Sequence, residues 1–268
     1  MVFLLIELYL SDVHVYGELC VCMQELPPQY LECLTEALKE QAGYTVLPIR
    51  YGSCLVIIMT DKQKYMLQKF GSVTLMDGTY KTTKWGLPLV ILTVVNAQGE
   101  AYPACFAIVS SETNDTMMEL LLHVQQLVPG WKPETFMIDK SDAEIHGIKM
   151  VFPWAVVFLC YFHVKQAWDR WIKKLENGVG KDDQQSLYDM LDAICHASTM
   201  ESMEVAIKVF TESHFYQMPK VQNFWETEWG NCLEMWATAH RANVFNRGID
   251  TNNPAESLNR CDTSHSLR

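Results

Sequence analysis

Asp77, Asp139 and Glu256 are the residues of this chain whose types and placement could do chemistry together. Asp77 closes the strand-like run Val73-Thr74-Leu75-Met76-Asp77, and Asp139 closes Thr135-Phe136-Met137-Ile138-Asp139. Glu256 opens a helix in Thr251-Asn252-Asn253-Pro254-Ala255-Glu256, where Asn253 reads as the N-cap and Pro254 as the first helical residue. Carboxylates gathered at element ends repel one another unless a cation lies between them. Mg²⁺ and Mn²⁺ prefer hard oxygen ligands and keep positions open for water and phosphate oxygens. A pair of such ions clamps the attacking and leaving oxygens of an in-line phosphoryl displacement. The expected chemistry is metal-dependent cleavage and transfer of nucleic-acid strands, with Mg or Mn as cofactor, two ions expected.

Each acid also has a plain structural reading. Asp77 precedes Gly78 and could be a strand-end turn residue. Asp139 competes with Asp142, which lies in the first turn of the next helix if Ser141 caps it, where the helix dipole favours negative charge. Glu256 at the third helical position could be a capping residue alone. Lys81 shares a strand face with Asp77 and Thr79 under period-two alternation and could meet a phosphate or only solvent. Cys160 and His163 form a C-x-x-H after a strand, at most half of a zinc site. Cys20 and Cys22 lie in an unrelated region and have a poor spacing to complete it, so zinc is not expected. Trp225, Trp229 and Trp236 could stack on bases, but their near-helical spacing points to core packing.

The elements around these residues read as α/β. Residues 1–70 look like an appended α/β region, with helical spacing at Leu31, Leu34, Leu38 and Ala42, a buried strand at Cys54–Met59 and a short helix from Asp61 to Phe70. Three strands follow: one ending near Lys81, one through Leu89–Val95 and one through Ala104–Val109, as an antiparallel meander. A helix carries Met117, Leu120, Leu121, Val124 and Leu127 on one face and ends at Pro129-Gly130. The strand with Asp139, a helix to about Val151 and a strand at Ala155–Cys160 complete the order βββαβαβ, with the Glu256 helix last. That order predicts a ribonuclease-H-like mixed sheet. Residues 71–167 form this core, 168–249 an all-helical insertion, and 250–268 the final core helix.

Composition bounds the partners. The chain has 268 residues, 49% of them apolar, and a formal charge of −11. Phosphate contacts come mostly from Lys and Arg, so the charge argues against strong autonomous DNA binding. A DNA-binding module is expected from a partner or a homo-oligomer. Nine scattered cysteines show no framework spacing, as expected for reduced thiols inside a cell. The apolar N-terminal run lacks a basic n-region and is too short for a membrane span, so no membrane partner is expected.

The segments Met76-Asp77-Gly78-Thr79-Tyr80-Lys81-Thr82-Thr83, Pro88-Leu89, Ile138-Asp139-Lys140-Ser141-Asp142-Ala143-Glu144, Phe152-Pro153, Cys160-Tyr161-Phe162-His163-Val164 and Thr251-Asn252-Asn253-Pro254-Ala255-Glu256-Ser257-Leu258-Asn259 occur in this order. Over roughly residues 55–268 the chain resembles the catalytic domain of Mutator-like element (MULE) transposases, including domesticated relatives in SWIM-zinc-finger proteins. The resemblance implies a ribonuclease-H-like core, an Asp-Asp-Glu metal site at Asp77, Asp139 and Glu256, and a helical insertion before the Glu. It implies DNA element ends and target DNA as partners and a nuclear location, and it sets His163 beside the active site. The zinc modules that often flank this domain have no matching spacing here, and the chain ends twelve residues after Glu256 (268 − 256). Those departures fit an alternative: a domesticated, non-catalytic nuclear factor that contacts DNA or protein.

Overall fold

The computed structural model describes residues 44–47, 56–79, 87–242 and 244. Glu256, Lys81, Cys20 and Cys22 and the helix expected near Leu31–Ala42 lie outside the described residues. The chain forms two compact units: the described parts of Met1–Phe136 and Ser141–Ala155, and those of Met137–Lys140 and Val156–Thr251. Among the described residues no helix is long and apolar enough to cross a membrane.

The first unit is mixed α/β. Its elements are β1 (Tyr44–Leu47), β2 (Val56–Thr60), α1 (Asp61–Phe70), β3 (Val73–Thr79), β4 (Leu89–Val95), β5 (Ala101–Ile108), α2 (Asn114–Leu127), the start of β6 (Thr135–Ile138) and α3 (Asp142–Val151). The strands bond in the order β1-β2-β5-β4-β3, with β6 beside β3. Backbone N–H groups of Glu134 and Thr135 donate to the carbonyl of Ser72 at the entry to that pairing. All seven residues of β4 are buried, as a central strand without polar alternation requires. The β3-β4-β5 meander is antiparallel, pairing Met76 with Leu92 and Ile91 with Phe106.

The third strand of the meander begins at Ala101, three residues before the expected Ala104. The cause is Pro103, which lacks an N–H and reads as a strand breaker. Here it sits opposite Thr93, where the register shifts between Leu92 and Thr93, and a bulge accommodates the missing donor. The carbonyl of Pro103 accepts from Nε2 of the fully buried Gln63 at 2.9 Å. Gln63 also closes a capping box with Thr60, so one side chain starts α1 and ties it to β5. Segment 44–70, expected as an appendage, thus supplies two strands and a helix to the sheet.

The second unit holds the end of β6, β7 (Val156–Leu159) beside it, and helices. The Cys160 N–H donates to the carbonyl of Ile138 at 2.8 Å, continuing the pairing past β7. The helices are α4 (Tyr161–Ile172), α5 (Gln184–His196), α6 (Met200–Glu212), α7 (Pro219–Phe224), a π-helical turn (Trp225–Trp229), α8 (Leu233–Trp236) and α9 (Thr238–Arg241). No strand occurs among the described residues after Leu159. The core is aromatic. Trp168 and Trp236 are fully buried with ring centroids 5.2 Å apart, and Trp229 and Trp225 pack edge-on against Trp236. Edge-to-face pairs of this kind stabilise beyond their area, by about 0.5–1.5 kcal/mol each. Among the described residues Cys105, Cys160, Cys195 and Cys232 are free thiols.

Gly147 sets the approach of α2 and α3. A Cβ there would stand 2.9 Å from the backbone carbon and Cβ of Met117 and from the amide nitrogen of Met118. Backbone cannot swing aside as a side-chain tip can. Gly147→Ala should therefore lower unfolding free energy by about 1–3 kcal/mol through overpacking, despite the better helix propensity of Ala. Urea denaturation checks this; a stabilised variant would show that the helices separate without cost.

Candidate functional site

In the first unit, Asp77 lies on β3 opposite Ile91 and is 7% exposed. The strand does not close at Asp77, as its sequence suggested, but stays paired through Gly78 and Thr79, so Asp77 lies within β3. A carboxylate this buried inside a strand is no ordinary turn residue, since a buried charge must be compensated. Gly78, next in the strand, faces the other side of the sheet by period-two alternation. A Cβ on Gly78 would stand 2.8 Å from Oε1 of Glu112 and 3.0 Å from Oε1 of Glu144. Two carboxylates therefore close over the glycine, on the face opposite to Asp77. Glu144 is 3% exposed. Its backbone N–H donates to Oγ of Ser141, the N-cap of α3, as the capping-box spacing predicts. Asp142 lies in the first turn of that helix and is exposed to solvent.

No hydrogen-bond donor among the described residues reaches the buried Oε1 of Glu112. Burial pushes the Glu112 carboxyl above its ordinary value. Sequence reading missed both glutamates. Glu144 carried a sufficient helix-capping explanation, and Glu112 sits in the loop before α2 with no motif around it. The one available signal was Gly78, since a glycine inside a strand marks a close approach.

The second unit contains Asp139, Cys160 and His163. Their ligand-type atoms all lie within 4.8 Å of one another, the one such group of three among the described residues. Local folding explains the meeting. Asp139 follows β6, Cys160 follows the neighbouring β7 and N-caps α4, and His163 lies in the first turn of α4. Nδ1 of His163 is ion-paired with Oδ1 of Asp139. Burial alone would lower the His163 pKa; hydrogen bonds and charge interaction with Asp139 and Cys160 outweigh it and hold the imidazole up at about 10. Lys140, next to Asp139, pairs with Glu228 and lies 4.8 Å from the Trp229 ring centroid.

These donors can hold metal in two ways. The carboxylate oxygens of Asp77 and Asp139 are the hard ligands that Mg²⁺ and Mn²⁺ take, so the donor chemistry fits those ions. Sulfur and nitrogen from Cys160 and His163 beside Asp139 suit softer transition ions, but three donors fall short of the four of a structural zinc site.

Arg241 is a positioning residue that sequence reading overlooked. It is 4% exposed and donates from Nη2 to the carbonyls of Leu159 and Met235. Its guanidinium carbon lies 3.7 Å from the Tyr161 ring centroid and 4.8 Å from that of Phe158. It thereby holds the β7-to-α4 turn that carries Cys160 and His163.

Two outcomes follow from these charges. Glu112→Gln should raise the melting temperature of the metal-free protein at neutral pH, because the neutral amide removes a buried ionised group. The gain should vanish below the ordinary glutamate range, where wild-type Glu112 is protonated; a gain that persists there would tie it to packing. His163 should remain an imidazolium at pH 8, read by NMR of its ring. A folded-state pKa raised from 6.5 to about 10 makes its stabilisation complete below about 6.5 and lost as pH rises through about 10.

Comparison with known proteins now has a fold to attach to. Residues 73–167 match the model of the MULE transposase domain. A curated protein, the PKS-NRPS hybrid synthetase cheA of Chaetomium globosum, is 24% identical over 208 residues, 69% of this chain and 4% of the synthetase. The chain thus spans a small fraction of that curated relative, and the synthetase's activity does not transfer with the match. The matched family segment runs from the start of β3 into α4 and contains Asp77, Glu112, Asp139, Glu144, Cys160 and His163. Over that segment the chain carries a MULE transposase-like domain.

Proposed function

We propose that this chain is a DNA transposase catalytic domain of the Asp-Asp-Glu type on a ribonuclease-H-like fold, with Asp77, Asp139 and Glu256 as ligands of two Mg²⁺ or Mn²⁺ ions. The observation that carries the reading is the family match over 73–167, which includes Asp77 within β3 and Asp139 directly after β6. Such ions, when bound, supply the charge that makes water and a DNA 3′-hydroxyl competent for in-line attack on a phosphodiester. The chain's own side chains position and neutralise. Asp77 offers a buried carboxylate on a rigid strand. Asp139 offers one steered by the His163 imidazolium, whose ring is fixed by α4. Lys140 places a cation one residue from Asp139, where it can meet a phosphate. Element ends and target DNA are the substrates, and the nucleus is the compartment. The net charge of −11 calls for a further DNA-binding module, from a partner or a second copy.

A second reading keeps the fold without catalysis, as a domesticated nuclear factor that contacts DNA or protein. The Asp139–His163 ion pair favours it, because Asp139 already has a cationic partner.

Calorimetry with Mn²⁺ separates the two. Asp77→Asn should weaken binding by about tenfold or more, because ligand charge sets affinity at oxygen sites. The variant should stay folded, and the full gene product should nick duplex DNA only with Mn²⁺ or Mg²⁺. Equal Mn²⁺ affinities for wild type and variant, with no nicking, would leave the non-catalytic reading.

A further inference from the structure

The second unit has a cleft of about 730 Å³ formed by the C-terminal half of α4, the turn after it, α7 and the π-helical turn. Its charge is opposite to that of its surroundings. Between residues 161 and 242 the chain has eight basic and twelve acidic side chains. The cleft nevertheless gathers Lys140, Arg170, Lys174 and Lys220, all exposed, and a single carboxylate, Glu228, which pairs with Lys140.

The other three cations hold weak or neutral partners. The Arg170 guanidinium donates to the carbonyl and Oε1 of Gln166. The nearest carboxylate to Lys174 is that of Glu176, at 3.9 Å with both side chains largely exposed. Lys220 donates to the backbone carbonyl of Glu176. Exposed cations with such partners give them up to a phosphate at little cost.

The cleft also presents an aromatic step. Trp171 and Phe224 stack with ring centroids 4.1 Å apart and planes 12° from parallel, and both are half-buried. Trp225, Trp229 and Trp236 are spent on the core, so this pair is a different set from the tryptophan stripe of the sequence. Cations flanking a half-buried aromatic pair suit a strand whose phosphates and base faces are both accessible. A duplex hides its base faces in its own stack. A single strand does not.

We propose that this cleft binds a short single-stranded stretch of nucleic acid, with Arg170, Lys174 and Lys220 on successive phosphates and a base against Trp171. Lys140, which directly follows Asp139, also lines the cleft. The inference goes beyond the proposed function and needs no divalent ion.

The test is fluorescence anisotropy on the full chain in EDTA, with labelled single-stranded DNA and RNA of about twelve nucleotides, within the usual span of such sites. The wild type should bind single strands more tightly than the same-length duplex or a mononucleotide. The variant R170Q/K174Q/K220Q should bind at least tenfold more weakly at low salt. Its log–log salt dependence should be shallower by about 2, since each single-strand phosphate contact contributes about 0.7. Trp171→Ser should weaken binding about fivefold or more without changing that slope, as loss of a stacked base requires. Preference for DNA or RNA then tells which polymer the cleft serves. Equal slopes for wild type and the triple variant, or a duplex or mononucleotide bound as tightly as the strand, would overturn the proposal. With EDTA present, failure here leaves the metal reading standing, and failure of Mn²⁺ binding leaves this one.

Discussion

A guanidinium sealed among rings and carbonyls ties α9 to the end of β7 and the start of α4. Moving the charge of Arg241 out of water is costly, and only good geometry offsets that cost. Arg241 has such geometry: two backbone carbonyls accept from one nitrogen, and the Tyr161 ring covers the face at 3.7 Å. Planar, weakly hydrated guanidinium tolerates this where an ammonium would not. The carbonyl of Leu159 is the end of β7, and Tyr161 is the first residue of α4. The hydroxyl of Tyr161 also meets Oγ1 of Thr238 at 2.7 Å, next to α9's own Arg241. The turn between them carries Cys160, and His163 is the third residue of α4. The Asp139–His163 pair therefore inherits its geometry from a residue nearly eighty positions further along the chain.

Such long-range dependence marks where sequence reading stops. Local signals were legible. The run from Asp61 to Phe70 announced α1, the apolar runs announced β4 and β7, and Ser141 announced α3. The helical spacing of Trp225, Trp229 and Trp236 announced burial, although the segment between the first two winds as a π-helical turn. The start of β5 at Ala101 had no local mark because the bulge at Pro103 depends on β4, and Arg241 had none because its acceptors are eighty residues away or on another turn. The Asp139–His163 pairing was half visible. Both residues follow strands, and strand ends of one sheet meet, but only the strand order says which ends are neighbours.

The acidic excess is likewise a matter of placement. A count of 32 acidic against 21 basic side chains argues against DNA binding only if the charges are spread evenly. They are not. Glu112 and Glu144 close over Gly78 on one face of a buried strand, while Arg170, Lys174 and Lys220 collect around a half-buried aromatic pair in another unit. Screening over about 8–10 Å makes the nearest charges decide what a phosphate meets, whatever the total.

Asp139 links the two functional readings, because its carboxylate has more than one claimant. The His163 imidazolium holds it now, Lys140 stands one residue away at the end of the cationic cleft, and oxygen-seeking ions would compete for the same atom. Ligands must be free and deprotonated before a metal binds, so an ion at Asp139 has to take the carboxylate from the imidazole. That exchange weakens binding relative to a naked carboxylate. It also keeps a buried-edge charge compensated when no ion is present, and so lets the strand end stay folded. A DNA strand drawn along the cleft adds phosphate oxygens close to Lys140, and those oxygens are ligands that divalent ions share with carboxylates. If both proposals hold, strand binding and ion binding would reinforce each other at one residue. On the two proposals taken together, His163 would hold Asp139 until strand and ion arrive.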